Sequence, residues 1–177
     1  NQRVYVICPL VEASEAIEAQ DVVQTHGRLA SFFSQVRVGL LHGRMDSLAQ
    51  QQALQDFKSG QTPLLVATTV VEVGVDVPEA TLMVILAAER FGLSQLHQLR
   101  GRVGRGSDPG ACLLVAGPSP SELANERLKV LASTTDGLAV AEADLHLRGP
   151  GEALGARQSG LPPFKVARWT RDAPLVP

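Results

Sequence analysis

Short runs of apolar, often β-branched residues alternate along this chain with longer stretches of mixed polarity. The apolar runs are VYVICPL (4–10), VGLLH (38–42), LLVAT (64–68), LMVIL (82–86) and ACLLV (111–115). Each is almost continuously hydrophobic, which is typical of parallel strands that are covered on both faces. The stretches between them predict helices at 14–34, 46–59 and 94–104, and a short helix after Thr69. The pattern therefore predicts an α/β fold with a parallel sheet sandwiched by helices.

Ligands of such sheets usually bind outside the carboxyl ends of the strands. The first places to look for a functional site are therefore the loops that follow Leu10, His42, Thr68, Leu86 and Val115.

The pattern changes after the fifth apolar run. Ser119, Pro120 and Glu122 stand where an N-cap, a first helical residue and a capping-box acid are expected, which predicts a helix to about Ser133. A turn at 134–137 leads to a second helix that ends near 149–151, before a tail rich in Gly and Pro. We predict one α/β domain (1–118) followed by a helical hairpin and an extended arm (119–177).

Composition limits the class of protein. The 177 residues are 45% hydrophobic, enough for one core, and the chain begins at Asn1 without an initiator Met, so we expect a fragment of a longer protein. A net charge of −2 and 4% aromatic residues favour neither a basic nucleic-acid-binding surface nor a base-stacking platform. Any nucleic-acid contact is therefore expected to be local and made to the backbone.

Cys8 and Cys112 both lie in apolar runs and are interpreted as two buried thiols in a reducing compartment. No CxxC pair or metal-ligand spacing is present, so no metal site is predicted within the chain. Because the sequence has neither a signal peptide nor a membrane-length apolar run, we expect a soluble cytoplasmic protein.

The stretch SQLHQLRGRVGR (94–105) carries the clearest candidate chemistry. On one helix, Gln95, Gln98, Arg102 and Arg105 would share a stripe, and Leu96, Leu99 and Val103 would form a second, apolar stripe. Residues 90–107 include four arginines and no acid. A solvated basic helix is the simpler interpretation. Gly101 and Gly104, each costing about 1 kcal/mol in a helix, favour instead the close approach of another surface, with the planar guanidinium groups binding phosphate.

A second candidate stretch runs from the predicted strand 64–68 to residue 80. Thr68 and Thr69 stand at the carboxyl end of the strand, and Thr69 with Glu72 forms a T-x-x-E capping box that could seat a phosphate or serve only as a helix cap. Asp76, between valines and before Pro78, is an acid in an apolar run and so requires a partner.

Taken together, these segments resemble the second motor domain of superfamily 2 helicases, and specifically the RecG family. ATTVVEVGVDVPEA resembles motif V and QLHQLRGRVGRG resembles motif VI. VICPLVEASE and LLHGRM are also similar to RecG, and DGLAVAEADLHLRGPGEALGARQSG resembles the translocation element that RecG shares with the transcription-repair coupling factor. The resemblance covers nearly the whole chain and implies a RecA-like fold.

The resemblance also implies roles for individual residues. Arg102 and Arg105 are similar to arginine fingers that meet the γ-phosphate of ATP on a partner domain, and Gln98 to a residue that orders that interface. Gly74 and Asp76 are expected near the nucleotide, and Thr68 and Thr69 near the phosphates of the tracked strand. His42 and Gly43, at the same edge, are expected on the nucleic-acid side, with His42 a hydrogen-bonded structural residue rather than a catalyst. Arg127, Arg148 and Gln158 fall in or near the translocation element and are expected to couple the motor to it.

No G-x-x-x-x-G-K-[ST] loop or magnesium-binding acidic box occurs in the sequence. ATP and Mg²⁺ would therefore be held mainly by a first motor domain outside this chain, which with a wedge domain would be its partner on branched or forked duplex DNA. No membrane partner is predicted.

The predicted function is that of an ATP-dependent DNA helicase that remodels replication forks and Holliday junctions in recombination and repair. The alternatives are a coupling-factor-like translocase, a catalytically inactive nucleic-acid-binding module and an RNA helicase. Thr135, Leu138 and Ala156 depart from the RecG pattern.

Overall fold

A computed structural model of the protein describes residues 2–9, 15–69 and 77–148. Five strands form one sheet in the order β2-β3-β1-β4-β5, and every neighbouring pair is parallel. The strands are β1 (Arg3–Ile7), β2 (Val38–Leu41), β3 (Leu64–Ala67), β4 (Ala80–Leu86) and β5 (Ala111–Val115). The predicted parallel α/β sheet is confirmed, because each apolar run overlaps a strand.

Helices cover both faces of this sheet. They are α1 (Glu15–Phe32), α2 (Ser47–Ser59), α3 (Leu93–Arg100), α4 (Glu122–Ser133) and α5 (Gly137–Arg148), with a short 3-10 helix at Ala88–Arg90. On one face, Phe57 of α2, Leu96 of α3, Leu131 of α4 and Val140 of α5 belong to the main core. On the other face, Val22 of α1 packs in a smaller core. No helix in the described ranges is both long and apolar enough to cross a membrane.

The predicted hairpin is present as α4 and α5, and both helices pack against α3. Its cap differs from the prediction. Ser121, not Ser119, is the N-cap of α4, and its Oγ accepts a hydrogen bond from the Ala124 amide at 3.2 Å. Because Leu131 and Val140 join the main core, the hairpin shares its packing with the sheet, and a domain boundary at residue 118 stays a prediction.

The helix predicted at 94–104 is wrong at its end, since α3 stops at Arg100. Gly104 has a φ of +73°, outside the helical region, and its amide donates to the carbonyl of Ala80 at 3.0 Å rather than along a helix. Leu96 and Leu99 are fully buried, as the apolar stripe predicted. The stripe of Gln95, Gln98, Arg102 and Arg105 does not lie on one helix.

The fifth strand is not covered on both faces as predicted. Leu113 is 52% exposed and Val115 43% exposed, because β5 is an edge strand and α1 packs at the opposite side of the sheet, against β2 and β3. Cys8 is buried, whereas Cys112 on β5 is only half-buried, so the expectation of two buried thiols holds for Cys8 alone. The predicted short helix after Thr69, with its Thr69–Glu72 capping box, and the arm at 149–177 lie outside the described residues.

Candidate functional site

The arginine loop, residues 101–110, joins α3 to β5 and carries Arg102 and Arg105. Arg102 is half-buried and Arg105 is exposed. The Gly104 amide donates to the carbonyl of Ala80, the first residue of β4, which fixes the loop beside the amino end of that strand. All strands are parallel, so the arginine loop lies at the amino edge of the sheet.

A tight backbone gives the arginine loop its shape. A Cβ at Gly104 would lie 2.5 Å from the Gly110 nitrogen, and one at Gly106 would lie 2.5 Å from the Pro78 carbonyl oxygen. Gly104 is therefore required by the loop's own backbone, and the approach of another surface to it stays a prediction. Gly101 has an ordinary φ of −66° and contacts only carbonyls of α3, so the approach of another surface there stays a prediction.

The two loop arginines form a cationic surface. The Arg105 Nε donates to the Gly101 carbonyl at 2.6 Å, which orients its guanidinium along the loop. Gln98 is exposed in the last turn of α3, and residues 90–107 contain no acid. Asp108 is the one acid of the arginine loop, and guanidinium groups that reach the surface suit an anionic ligand such as phosphate.

A second group of predicted residues lies at the carboxyl edge of the sheet. Thr68 is 3% exposed and its amide donates to the Leu41 carbonyl at 3.1 Å, which ties the ends of β3 and β2 together. Thr69 is half-buried and Gly43 is exposed beside His42. These residues come together because β2 and β3 are neighbours in the sheet.

His42 is hydrogen-bonded, as predicted for a structural histidine. Its Nδ1 accepts from the Arg44 amide at 3.2 Å, and its carbonyl accepts from Gln50 Nε2 at 3.3 Å. Desolvation by burial, and secondarily the charge of Arg44, lower the pKa of His42 below its usual value. His42 is therefore a neutral hydrogen-bonding group at neutral pH.

The predicted site residues therefore form two groups at opposite edges of the sheet. Arg102 and Arg105 lie away from the carboxyl-end loops that the strand pattern named as the first to examine. The reason is that α3 begins after the carboxyl end of β4 and runs back across the sheet to its amino edge. Gly74 and Asp76 belong to residues 70–76, which lie outside the described residues.

Sequence reasoning missed Arg100, which holds the end of the hairpin's first helix. One guanidinium nitrogen of Arg100 lies 2.6 Å from the carbonyl oxygens of both Leu131 and Thr134, and the other lies 3.0 Å from His97 Nδ1. Helix α4 has no basic residue in its last turn and no glycine at its C-cap. The last carbonyl groups of a helix need hydrogen-bond donors. Because α4 carries no local donor of this kind, its sequence indicated that a residue elsewhere in the chain supplies one.

Of the three predicted coupling residues, only Arg127 has a described side chain. Arg127 is half-buried on α4, and its buried Nε has no hydrogen-bond partner within the part of the chain that the structure describes. Arg148 is the last residue of α5, but its side chain, like all of Gln158, lies outside that part. Hydrogen bonds across the hairpin by these residues stay a prediction.

A cleft of about 790 Å³ opens between the arginine loop, β5 and α4. Arg100, Val103 and Leu131 line it together with Cys112. Burial raises the pKa of Cys112 to about 11, against the smaller opposing effect of Arg100, so this side chain is an uncharged thiol at neutral pH. The cleft therefore leaves space between the arginine loop and the hairpin without adding a nucleophile.

Comparison with known families gives two matches. Residues 1–107 match the family described as the helicase conserved C-terminal domain, and residues 134–177 match domain 3, C-terminal, of the ATP-dependent DNA helicase RecG. Proteins named ATP-dependent DNA helicase RecG are 48% identical in Pasteurella multocida, over 100% of this chain, and 53% identical in Synechocystis, over 99%. The chain spans 26% and 21% of those two relatives, or about a quarter of their length.

Solved structures give the same picture. The chain is similar to RecG in a structure of RecG bound to a three-way DNA junction, with a TM-score of 0.71 and 42% identity over 98% of this chain and 22% of that one. The C-terminal domain of the DEAD-box protein Dbp5 has a TM-score of 0.56 at 19% identity, over 75% of this chain and 70% of that one. That second likeness is one of fold alone.

Proposed function

We propose, from the premise that this chain belongs to the helicase conserved C-terminal domain family, that it is the second motor domain of a RecG-type DNA helicase. The whole protein is then an ATP hydrolase that remodels forks and Holliday junctions in recombination and repair. The observation that carries this proposal is the two-edged site, with Arg102 and Arg105 at the amino edge and Thr68 and Thr69 at the carboxyl edge.

At the amino edge, Arg102 and Arg105 act as arginine fingers for a nucleotide held mainly by the first motor domain. ATP with Mg²⁺ supplies a phosphoanhydride bond whose hydrolysis drives the motor. Each guanidinium stays charged and can donate two parallel hydrogen bonds to phosphate oxygens. The fixed backbone of the arginine loop limits the reorganisation that such binding requires. Gln98 orders this interface, and Gly74 and Asp76 contribute near the nucleotide.

At the carboxyl edge, Thr69, His42 and Gly43 contact the phosphates of the tracked DNA strand, and the buried Thr68 holds the end of β3 to β2 beside them. Hydroxyl, amide and neutral imidazole groups bind the backbone without reading bases, which suits movement along any sequence. Because the pKa of His42 is lowered, its contribution is a hydrogen bond rather than a charge.

The hairpin and arm couple the two edges to movement along duplex DNA. Arg100 joins the end of α3, next to the arginine loop, to the end of α4. A change at the nucleotide can therefore reach the hairpin through one hydrogen-bonded contact. Arg127, Arg148 and Gln158 then hold the hairpin to the arm, and the hairpin is the two-state element that ATP and DNA bias from opposite sides.

The test measures ATP hydrolysis and fork unwinding on the same full-length preparations. We expect wild-type protein to unwind a forked duplex only with ATP. Arg148→Ala and Gln158→Ala should keep DNA-stimulated ATP hydrolysis while unwinding falls steeply. The reason is that these changes interrupt the coupling of the hairpin to the arm and leave the ATP site intact. Lys129→Ala, which removes an exposed cation of α4, is the matched control.

Melting curves of each variant exclude simple unfolding. If Arg148→Ala and Gln158→Ala lose hydrolysis and unwinding in proportion, or lose neither activity, then the hairpin does not couple ATP hydrolysis to unwinding. A wild-type protein without ATP-dependent unwinding would rule out the helicase itself.

The nearest alternative is a translocase of the transcription-repair coupling-factor type, which shares the translocation element. The match of residues 134–177 to RecG domain 3 supports the RecG type. An inactive binding module has no need of two arginines on a shaped loop.

A further inference from the structure

Helix α4 reaches from one edge of the motor sheet to the other. Its start follows the turn after β5, at the carboxyl edge, and its last carbonyls lie beside Arg100, at the end of α3 near the amino edge. With 12 residues, the helix is about 18 Å long. Each end of α4 therefore lies near one of the two proposed binding edges.

Glu89 holds the carboxyl-edge end of this connection. It lies in the 3-10 helix that follows β4, and its Oε2 accepts a hydrogen bond from the Gly117 amide at 2.9 Å. Gly117 lies in the turn that joins β5 to α4. A carboxylate acceptor makes this bond stronger than one between neutral groups.

The contact between Glu89 and Gly117 is sterically specific. A Cβ at residue 117 would lie 2.8 Å from Glu89 Oε1, so a larger residue here would displace the carboxylate from its present position. Ala87, directly before the 3-10 helix, has a φ of +46°, which is uncommon for a residue with a side chain. Ala88 is fully buried and α4 packs against this 3-10 helix. The backbone around Glu89 is therefore fixed, unlike that of an ordinary surface acid.

We infer that Glu89 is a positioning residue that anchors the start of the hairpin to the nucleic-acid edge of the motor domain. Through Gly117, movement of the carboxyl edge on DNA is passed to α4 and along it toward Arg100 and the arginine loop. Glu89 itself contacts neither nucleotide nor DNA in this arrangement. The inference rests on the proposed function, since it names the second anchor of the same transmission.

The test combines hydrogen exchange with the ratio of unwinding to ATP hydrolysis in the full-length protein. In Glu89→Ala, amides of 116–124 should exchange at least about tenfold faster, the factor for losing a hydrogen bond to a charged group, and fewer base pairs should be unwound per ATP. Glu89→Gln keeps an acceptor oxygen without the charge and should restore both readouts in part. Glu126→Ala, an exposed acid on α4, should change neither.

A double-mutant cycle tests whether the two residues act as one contact. Gly117→Ala forces the Glu89 carboxylate away and should lower the same ratio. In Glu89→Ala the space for the new methyl group already exists, so the double variant should be no worse than Gly117→Ala alone.

Provided that wild-type protein couples hydrolysis to unwinding, three results would each overturn the anchor role. They are unchanged amide exchange in Glu89→Ala, additive effects in the double-mutant cycle, and faster exchange with an unchanged number of base pairs unwound per ATP. If wild-type protein shows no coupling between hydrolysis and unwinding, the proposed function fails first, and the anchor role fails with it. The two failures are therefore distinguishable.

Discussion

Gly104 sets the path of the arginine loop through its backbone alone. Its left-handed φ turns the chain away from α3, and its amide bonds to the start of β4. The loop that carries Arg102 and Arg105 is therefore shaped by a residue that has no side chain to contribute.

Gly104→Ala should lower the free energy of unfolding by about 1–3 kcal/mol, because the methyl group is strained at this φ and meets the Gly110 backbone. Gly27→Ala is the matched control, since Gly27 lies inside α1 with no atom within 4 Å of the added carbon. That change should raise stability by about 0.5–1 kcal/mol. Thermal unfolding followed by circular dichroism measures both, and equal shifts of the same sign would contradict this account.

Glu89 and Arg100 show why some site residues escape sequence reasoning. Glu89 binds an amide 28 residues away, and Arg100 binds carbonyls 31 and 34 residues away. Backbone groups carry no residue signature, so the partner of such a side chain is visible only after folding. The hydrogen-bonded role of His42 is more local, since its partners Arg44 and Gln50 lie two and eight residues away along the chain.

At the scale of elements, the strands were predictable and some ends were not. Almost continuous apolar runs identified all five strands, because strands in a parallel sheet bury both faces. The exposed face of β5 was not predictable, since an apolar run does not tell which strand lies at an edge. The early end of α3 follows from a contact between the arginine loop and β4 that the helical pattern does not contain.

The start of α4 offers a direct test of an element boundary. Ser119 and Ser121 both fit a local N-cap pattern, but only Ser121 accepts a hydrogen bond from the helix. Ser121→Ala should therefore cost about 1 kcal/mol of stability, whereas Ser119→Ala should change it by less than about 0.5 kcal/mol. Denaturant unfolding of the two variants compares them, and a larger loss in Ser119→Ala would mean that the helix starts earlier.

At the scale of the whole molecule, the predicted site residues lie in two groups at opposite edges of the sheet. Sequence motifs gave the order of Thr68, Thr69, Arg102 and Arg105 along the chain but not the edge to which each belongs. The direction of α3 across the sheet decides that placement. The proposed nucleotide contacts at one edge and DNA contacts at the other require a connection between them, and α4 runs from the one edge to the other.

The turnover number for ATP hydrolysis by full-length Arg102→Ala and Arg105→Ala tests the central claim most directly. Arginine fingers act on charge in the transition state, so kcat should fall by about 10³–10⁵ while ATP binding is nearly unchanged. Arg→Lys should restore little, because an ammonium group cannot reproduce the planar fork. The 177-residue chain alone, which contains no G-x-x-x-x-G-K-[ST] loop, should give only background hydrolysis. If either alanine variant keeps more than about a tenth of the wild-type kcat, that arginine is not a finger.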